Sequence, residues 1–211
     1  MARQKTLQTF RVMIDVRIEE LGIKGMINPF HNECVQPCSY DVHLGENILV
    51  ETEHGFQKAS LAGHSEKNPL YMPPGLFLLG ETVEYFKIPN NVEAHFHLVS
   101  TRAREGMDAL LAGLIDCGYN GRITLELKNS LQYGQIPLYK GLRIGQLSFF
   151  EYTQDARIPY KGRYYGDNSV SMARDGEDLH PSQRIQTVSY THLRAHETRH
   201  DLVCRLLLEK K

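Results

Sequence analysis

The sequence predicts a mainly β domain, a compact barrel or sandwich with one short N-terminal helix. Three observations lead there. Apolar residues recur at helical spacing only near the N-terminus. Several short runs of β-branched and aromatic residues follow, each bounded by Gly, Pro or Asn. The chain of 211 residues, 41% hydrophobic and 23% charged, has no internal repeat or low-complexity linker, so one core suffices.

Residues 14–21 have the apolar spacing of a short helix, which Gly22 and Gly25 stop. Strands are expected over 48–51, 76–86, 92–99, 123–128 and 142–152. Side chains alternate across a strand. In the fourth run Ile123, Leu125 and Leu127 therefore point to the core, while Thr124, Glu126 and Lys128 share the other face. A carboxylate with apolar and β-branched neighbours at a pocket wall has its pKa raised, as a general base working near neutral pH requires. Read alone, Glu126 fits a solvated surface better than a catalytic role. In the third run Ala94, Phe96 and Leu98 face the core, leaving His95 and His97 on a solvated or interface face rather than as metal ligands.

Composition excludes several classes. No run of about 18 apolar residues is present and the first residues lack the order of a secretory signal, so the expectation is a cytoplasmic protein with no membrane partner. No Lys/Arg stripe points to nucleic acid. Cys34, Cys38, Cys117 and Cys204 are too few and irregular for a disulfide framework.

From Val188 the text VSYTHLRAHETRHDLVCRLLLEKK resembles a translated sequencing-library adapter, index and primer. We read residues 187–211 as an artefact, residues 13–186 as the domain, and residues 1–12 as an upstream extension or a short arm, Met13 being the better start. The natural C-terminus is then expected to be missing. Removing the five Lys/Arg and three Asp/Glu of this tail from 24 and 25 leaves 19 against 22, a net charge of about −3. The tail contains His196, Glu197 and His200, an HExxH pattern of zinc proteases, but a translated adapter carries no selected metal site. His31, Glu33, Pro37 and Cys38 echo the signature of zinc-dependent nucleotide deaminases. That echo fails because position 41 is Asp rather than Cys and the two halves are too close together.

The segments PCSYDVHLG (37–45), LVSTRAREG (98–106), AGLIDCGYNGRITLELKNS (112–130), GLRIGQLSFF (141–150) and IPYKGRYYGD (158–167) occur in the order seen in dCTP deaminases and their bifunctional deaminase-dUTPase relatives. The chain thus resembles the zinc-independent dCTP deaminases of the dUTPase superfamily. This resemblance implies a distorted jelly-roll β-barrel, assembled as a homotrimer with active sites between subunits. It implies that Glu126 is the catalytic glutamate, moving a proton from water towards N3 and the leaving amine. Ser100, Thr101 and Arg104 would order the water and bind base and phosphates; a guanidinium fork suits such oxygens. Asp116 would hold the 3′-hydroxyl or position a hydrolytic water. Backbone groups of Thr124 and Leu125 would read the pyrimidine, and Gln146, Tyr160 and Arg163 would contact the nucleotide. Mg²⁺ would ride on the triphosphate, with neither zinc nor a protein metal cage.

Four departures stand against the pattern. Val99 occupies the place of an Arg or Lys, so one phosphate contact is lost or supplied by Arg102. Asp167 replaces a triphosphate-binding Gln, which is unfavourable unless Mg²⁺ or an Arg intervenes. Gly113 replaces the His of the purely deaminating bacterial type, and the 104–116 loop is one residue shorter. The expected reaction is dCTP to dUTP and ammonia. Its alternatives are bifunctional conversion to dUMP, a dUTPase suggested by Gly113, Ile115, Asp116, Tyr119 and Gly121, or an inactive nucleotide-binding homologue. Arg122, where dUTPases often have Glu, argues against the pure dUTPase.

Overall fold

The computed structural model describes residues 10–109 and 112–174. The adapter-like text, its HExxH pattern and the expected domain end at 186 lie outside the described residues. Thirteen strands and two helices follow one another: β1 (Phe10–Val12), α1 (Asp15–Leu21), β2 (Ile27–Asn28), β3 (Val35–Gln36), β4 (Ser39–Thr52), β5 (Gly55–Ser60), β6 (Leu70–Met72), β7 (Phe77–Lys87), β8 (Val92–Leu98), α2 (Ser100–Arg104), β9 (Met107–Ala109), β10 (Leu114–Ile115), β11 (Asn120–Asn129), β12 (Ile136–Leu138) and β13 (Arg143–Tyr152). The mainly β class and the short N-terminal helix are as the sequence predicts. All five expected strands lie within or closely match β4, β7, β8, β11 and β13. The described β1, in the expected extension, pairs Phe10 with Tyr152 at the sheet edge. Among the described residues no helix is long and apolar enough to cross a membrane.

The main sheet runs β10-β8-β13-β4-β7-β11-β9, antiparallel throughout. Its curl comes from β4, which pairs with β13 through its first half and with β5 and β7 further on, with a register shift in each of its pairings with β13 and β7. The concave side holds the core: Tyr40, Leu44, Phe86, Leu127 and Phe149 are fully buried. Each such side chain contributes about 1.5–3 kcal/mol by leaving water. Alternation explains the choice of faces on β11, where Ile123, Leu125 and Leu127 are buried and Thr124 and Glu126 half-buried. Gly145 on β13 is required by packing, since a Cβ there would overlap the Phe96 ring and approach the His97 carbonyl at 2.8 Å.

Between β7 and β11 the pairing slips. Arg122 faces Tyr85, but Thr124 already faces Glu81, so β7 advances four residues while β11 advances two. The slip leaves backbone groups without ladder partners, and side chains take their places. Ile123 N donates to Thr82 Oγ1 at 3.1 Å and Thr82 Oγ1 donates to the Glu84 carbonyl at 2.8 Å. The Arg122 guanidinium donates through one nitrogen to the carbonyls of both Thr82, at 2.7 Å, and Val83.

Candidate active site

A cleft of about 320 Å³ opens where β8, β9 and β11 meet, walled by Phe96 to Leu98, by Asp108 and Ala109, by Ala112 and Gly113, and by Ile123 to Glu126. Its size is at the lower end of small-molecule pockets. The walls are held by backbone pairing: β9 lies against β11 with Lys128 opposite Asp108, and Phe96 N donates to the Gly113 carbonyl at 2.9 Å.

Glu126 stands half-buried among these walls. Burial lifts its carboxyl above the ordinary carboxylate range, and one hydrogen bond from the Ala112 backbone N–H partly opposes the lift. The carboxyl is thus poised to take and return a proton. The lining of the cleft carries two acids, Glu126 and the exposed Asp108, and neither Lys nor Arg, the exposed Lys128 opposite Asp108 lying outside it. A neutral ring fits such a wall, and a polyanion does not.

Of the residues singled out in the sequence, the protomer brings Thr124, Leu125 and Glu126 together in the cleft and places the others at separate stations. Ser100, Thr101 and Arg104 lie exposed on α2, which joins the cleft-lining ends of β8 and β9. Arg102 is largely covered, and one of its guanidinium nitrogens is paired with Glu105, just past the end of α2, at 2.7 Å. Val99 is buried, which accounts for an apolar residue where a phosphate-binding cation was expected. Asp116 is exposed after β10. Gln146 accepts from Ser39 Oγ at 3.0 Å on β13. Tyr160 packs its ring 5.8 Å from that of Tyr119, and its N–H donates to the Cys117 carbonyl. Arg163 donates to the Arg174 carbonyl at 3.3 Å. Asp167, unfavourable beside phosphates if left bare, receives Arg174 at 2.5 Å and Ser171 Oγ at 2.8 Å.

Two cleft features escaped the sequence reading. Asp108 sits on a strand of three residues, too short for alternation to register. His97 is exposed, as expected of a solvated or interface face, and stands at the cleft rim, whereas His95 turns to Glu93 at 3.2 Å and to the Phe150 ring. The Ala112 amide has no side-chain signal at all. Among the described residues no three His, Cys, Asp or Glu side chains converge on a point.

A family model described as dCTP deaminase-like matches residues 12–152. A protein of Pseudarthrobacter chlorophenolicus named "dCTP deaminase, dUMP-forming" is 30% identical over 196 residues, covering 88% of this chain and 96% of the relative. Proteins of the same name from Corynebacterium diphtheriae and Streptomyces coelicolor are 34% and 31% identical, covering 74% and 87% of this chain and 86% and 96% of their own. A solved 2′-deoxycytidine 5′-triphosphate deaminase from Agrobacterium tumefaciens superposes with a TM-score of 0.58 at 18% identity, over 68% of this chain and 49% of that chain, and so shares the fold.

Proposed function

Because this chain belongs to the dCTP deaminase-like family, we propose that it deaminates dCTP and carries the product on to dUMP. The observation that carries the reading is Glu126, an acid raised by burial in a cleft at the lower end of small-molecule size. Its carboxylate takes a proton from water as the oxygen attacks C4. The proton moves to N3, and a second passes to the amine, which leaves as ammonia. Thr124 and Leu125, beside Glu126 on one strand, hold the pyrimidine edge.

The sequence favours dUTP as the released product. The relatives' shared name supports instead its alternative, in which a second water cleaves the α–β phosphoanhydride, so that dCTP and two waters give dUMP, ammonia and pyrophosphate. Asp116, ten residues before Glu126, would orient that second water. The acidic cleft wall leaves the triphosphate to cations outside it, and we assign these to Arg104 and to Arg163, contributed between subunits of a homotrimer. Mg²⁺ held by the triphosphate oxygens would neutralise the charge developing on pyrophosphate.

The protein incubated with dCTP or dUTP and Mg²⁺, with ammonia, dUTP, dUMP and pyrophosphate quantified, tests this. Ammonia together with dUMP is expected from dCTP. Ammonia with accumulating dUTP would reject the second step, pyrophosphate from dUTP without ammonia from dCTP would indicate a dUTPase, and no turnover of either would leave a binding protein.

A further inference from the structure

Glu81 lies outside the cleft and has no part in the chemistry above, yet it is a carboxylate only 4% exposed. Burying such a group is unfavourable unless its oxygens are satisfied. Here both are acceptors: Oε1 takes the Asn47 amide at 2.7 Å and the Asn47 backbone N–H at 3.3 Å, and Oε2 takes the Val170 N–H at 2.9 Å. Room for the side chain is made by Gly45, where a Cβ would approach Glu81 Cγ to 2.5 Å.

The Val170 contact ends a returning run of chain. Gly166 N reaches the Asn120 carbonyl at 2.6 Å, Arg122 N reaches the Asp167 carbonyl at 2.7 Å, and Asp167 bridges Gly121 in parallel. One residue past Val170, the Ser171 N–H donates to Thr124 Oγ1 at 3.4 Å. Thr124 is the cross-strand partner of Glu81 and a wall of the cleft. A hydroxyl that accepts from a fixed amide keeps its own proton for another acceptor.

We propose that Glu81 is a positioning residue: it latches the returning chain at Val170 so that the Ser171 amide fixes the Thr124 hydroxyl as a donor towards the bound pyrimidine. The assignment rests on the deaminase reading given above. Glu126 performs the proton transfer and Glu81 touches neither substrate nor water, so the latch acts on binding. Replacing Glu81 by Gln puts an NH₂ where one of these acceptors stood, releasing Val170 or Asn47 with little change of shape.

The experiment measures ammonia release from dCTP by the full chain and its variants. Turnover by the wild type is the control for the deaminase reading itself, and its absence would reject that reading rather than the latch. With wild-type turnover present, Glu81→Gln is expected to raise KM for dCTP about fivefold, the effect of one lost hydrogen bond, with kcat little changed. Thr124→Val should raise KM similarly, and the double variant should be no worse than either single one. Unchanged KM in Glu81→Gln, a loss confined to kcat, or effects that multiply in the double variant would each overturn the proposal. Should Glu81→Gln fail to fold, Ser171→Pro removes the amide at the other end of the link, and an unchanged KM there would overturn it as well.

Discussion

Two glutamates on neighbouring strands divide the work of this sheet. Glu126 on β11 is half-buried in the cleft and accepts a hydrogen bond from the Ala112 amide, and burial raises its pKa. Glu84 on β7 is wholly buried, with Oε1 on His43 Nδ1 at 2.7 Å and Oε2 on the His43 backbone N–H at 3.0 Å. Around that pair Arg143 meets Asp41 at 2.8 Å, joined by Gln36 at 3.0 Å. The contrast separates an acid left with room to exchange its proton from one whose oxygens are committed to holding β4 against β7. Glutamates on paired strands thus differ in burial and in the donors that reach the carboxyl.

The largest break in this comparison is Glu126→Gln. Ammonia release should fall about 10³-fold, the scale of a lost general base, while the melting temperature stays close to wild type. Turnover within a few-fold of wild type would remove Glu126 from the mechanism.

Glu84→Gln should do the reverse, retaining turnover while destabilising the fold by about 2 kcal/mol in denaturant titrations, since a buried donor loses its partner. Its pH signature is distinct. The hydrogen bond to Glu84 raises the His43 pKa above its ordinary 6.5, with Asp41 adding to and Arg143 opposing the shift. The folded state therefore holds a proton that the unfolded chain releases, so the stabilisation is full below pH 6.5 and declines as pH rises through the folded value. Denaturation midpoints from pH 5 to 9 should show this decline in the wild type and a flatter curve in the variant.

The smallest effect sharpens the cause of the Glu126 shift. Burial raises that pKa, so Asp108→Asn should leave the acid limb of the kcat–pH profile in place. A limb moved to lower pH would make like-charge repulsion the cause instead.

The strand that carries Glu126 was legible because its alternation is strict over eight residues, and the fate of each side chain follows from the pleat. The same rule placed Ala94 in the core and His97 on an exposed face, but alternation alone does not show that β8 ends at a cleft rim. The first half of β4 was missed as a strand: SYDVHL buries Ser39 and Asp41 as well as apolar residues, and long-range partners on β13 settle its conformation. Motif order pointed to Ser100, Arg104 and Asp116, yet no spacing could say that one protomer would leave them outside its own cleft.

The slip between β7 and β11 restricts what can stand at position 122. Arg122 there serves as a stand-in for the missing ladder, one guanidinium nitrogen meeting two carbonyls that a shorter or acidic side chain would abandon. An ionised glutamate at this position has no proton to give, and would leave the Thr82 and Val83 carbonyls without this donor.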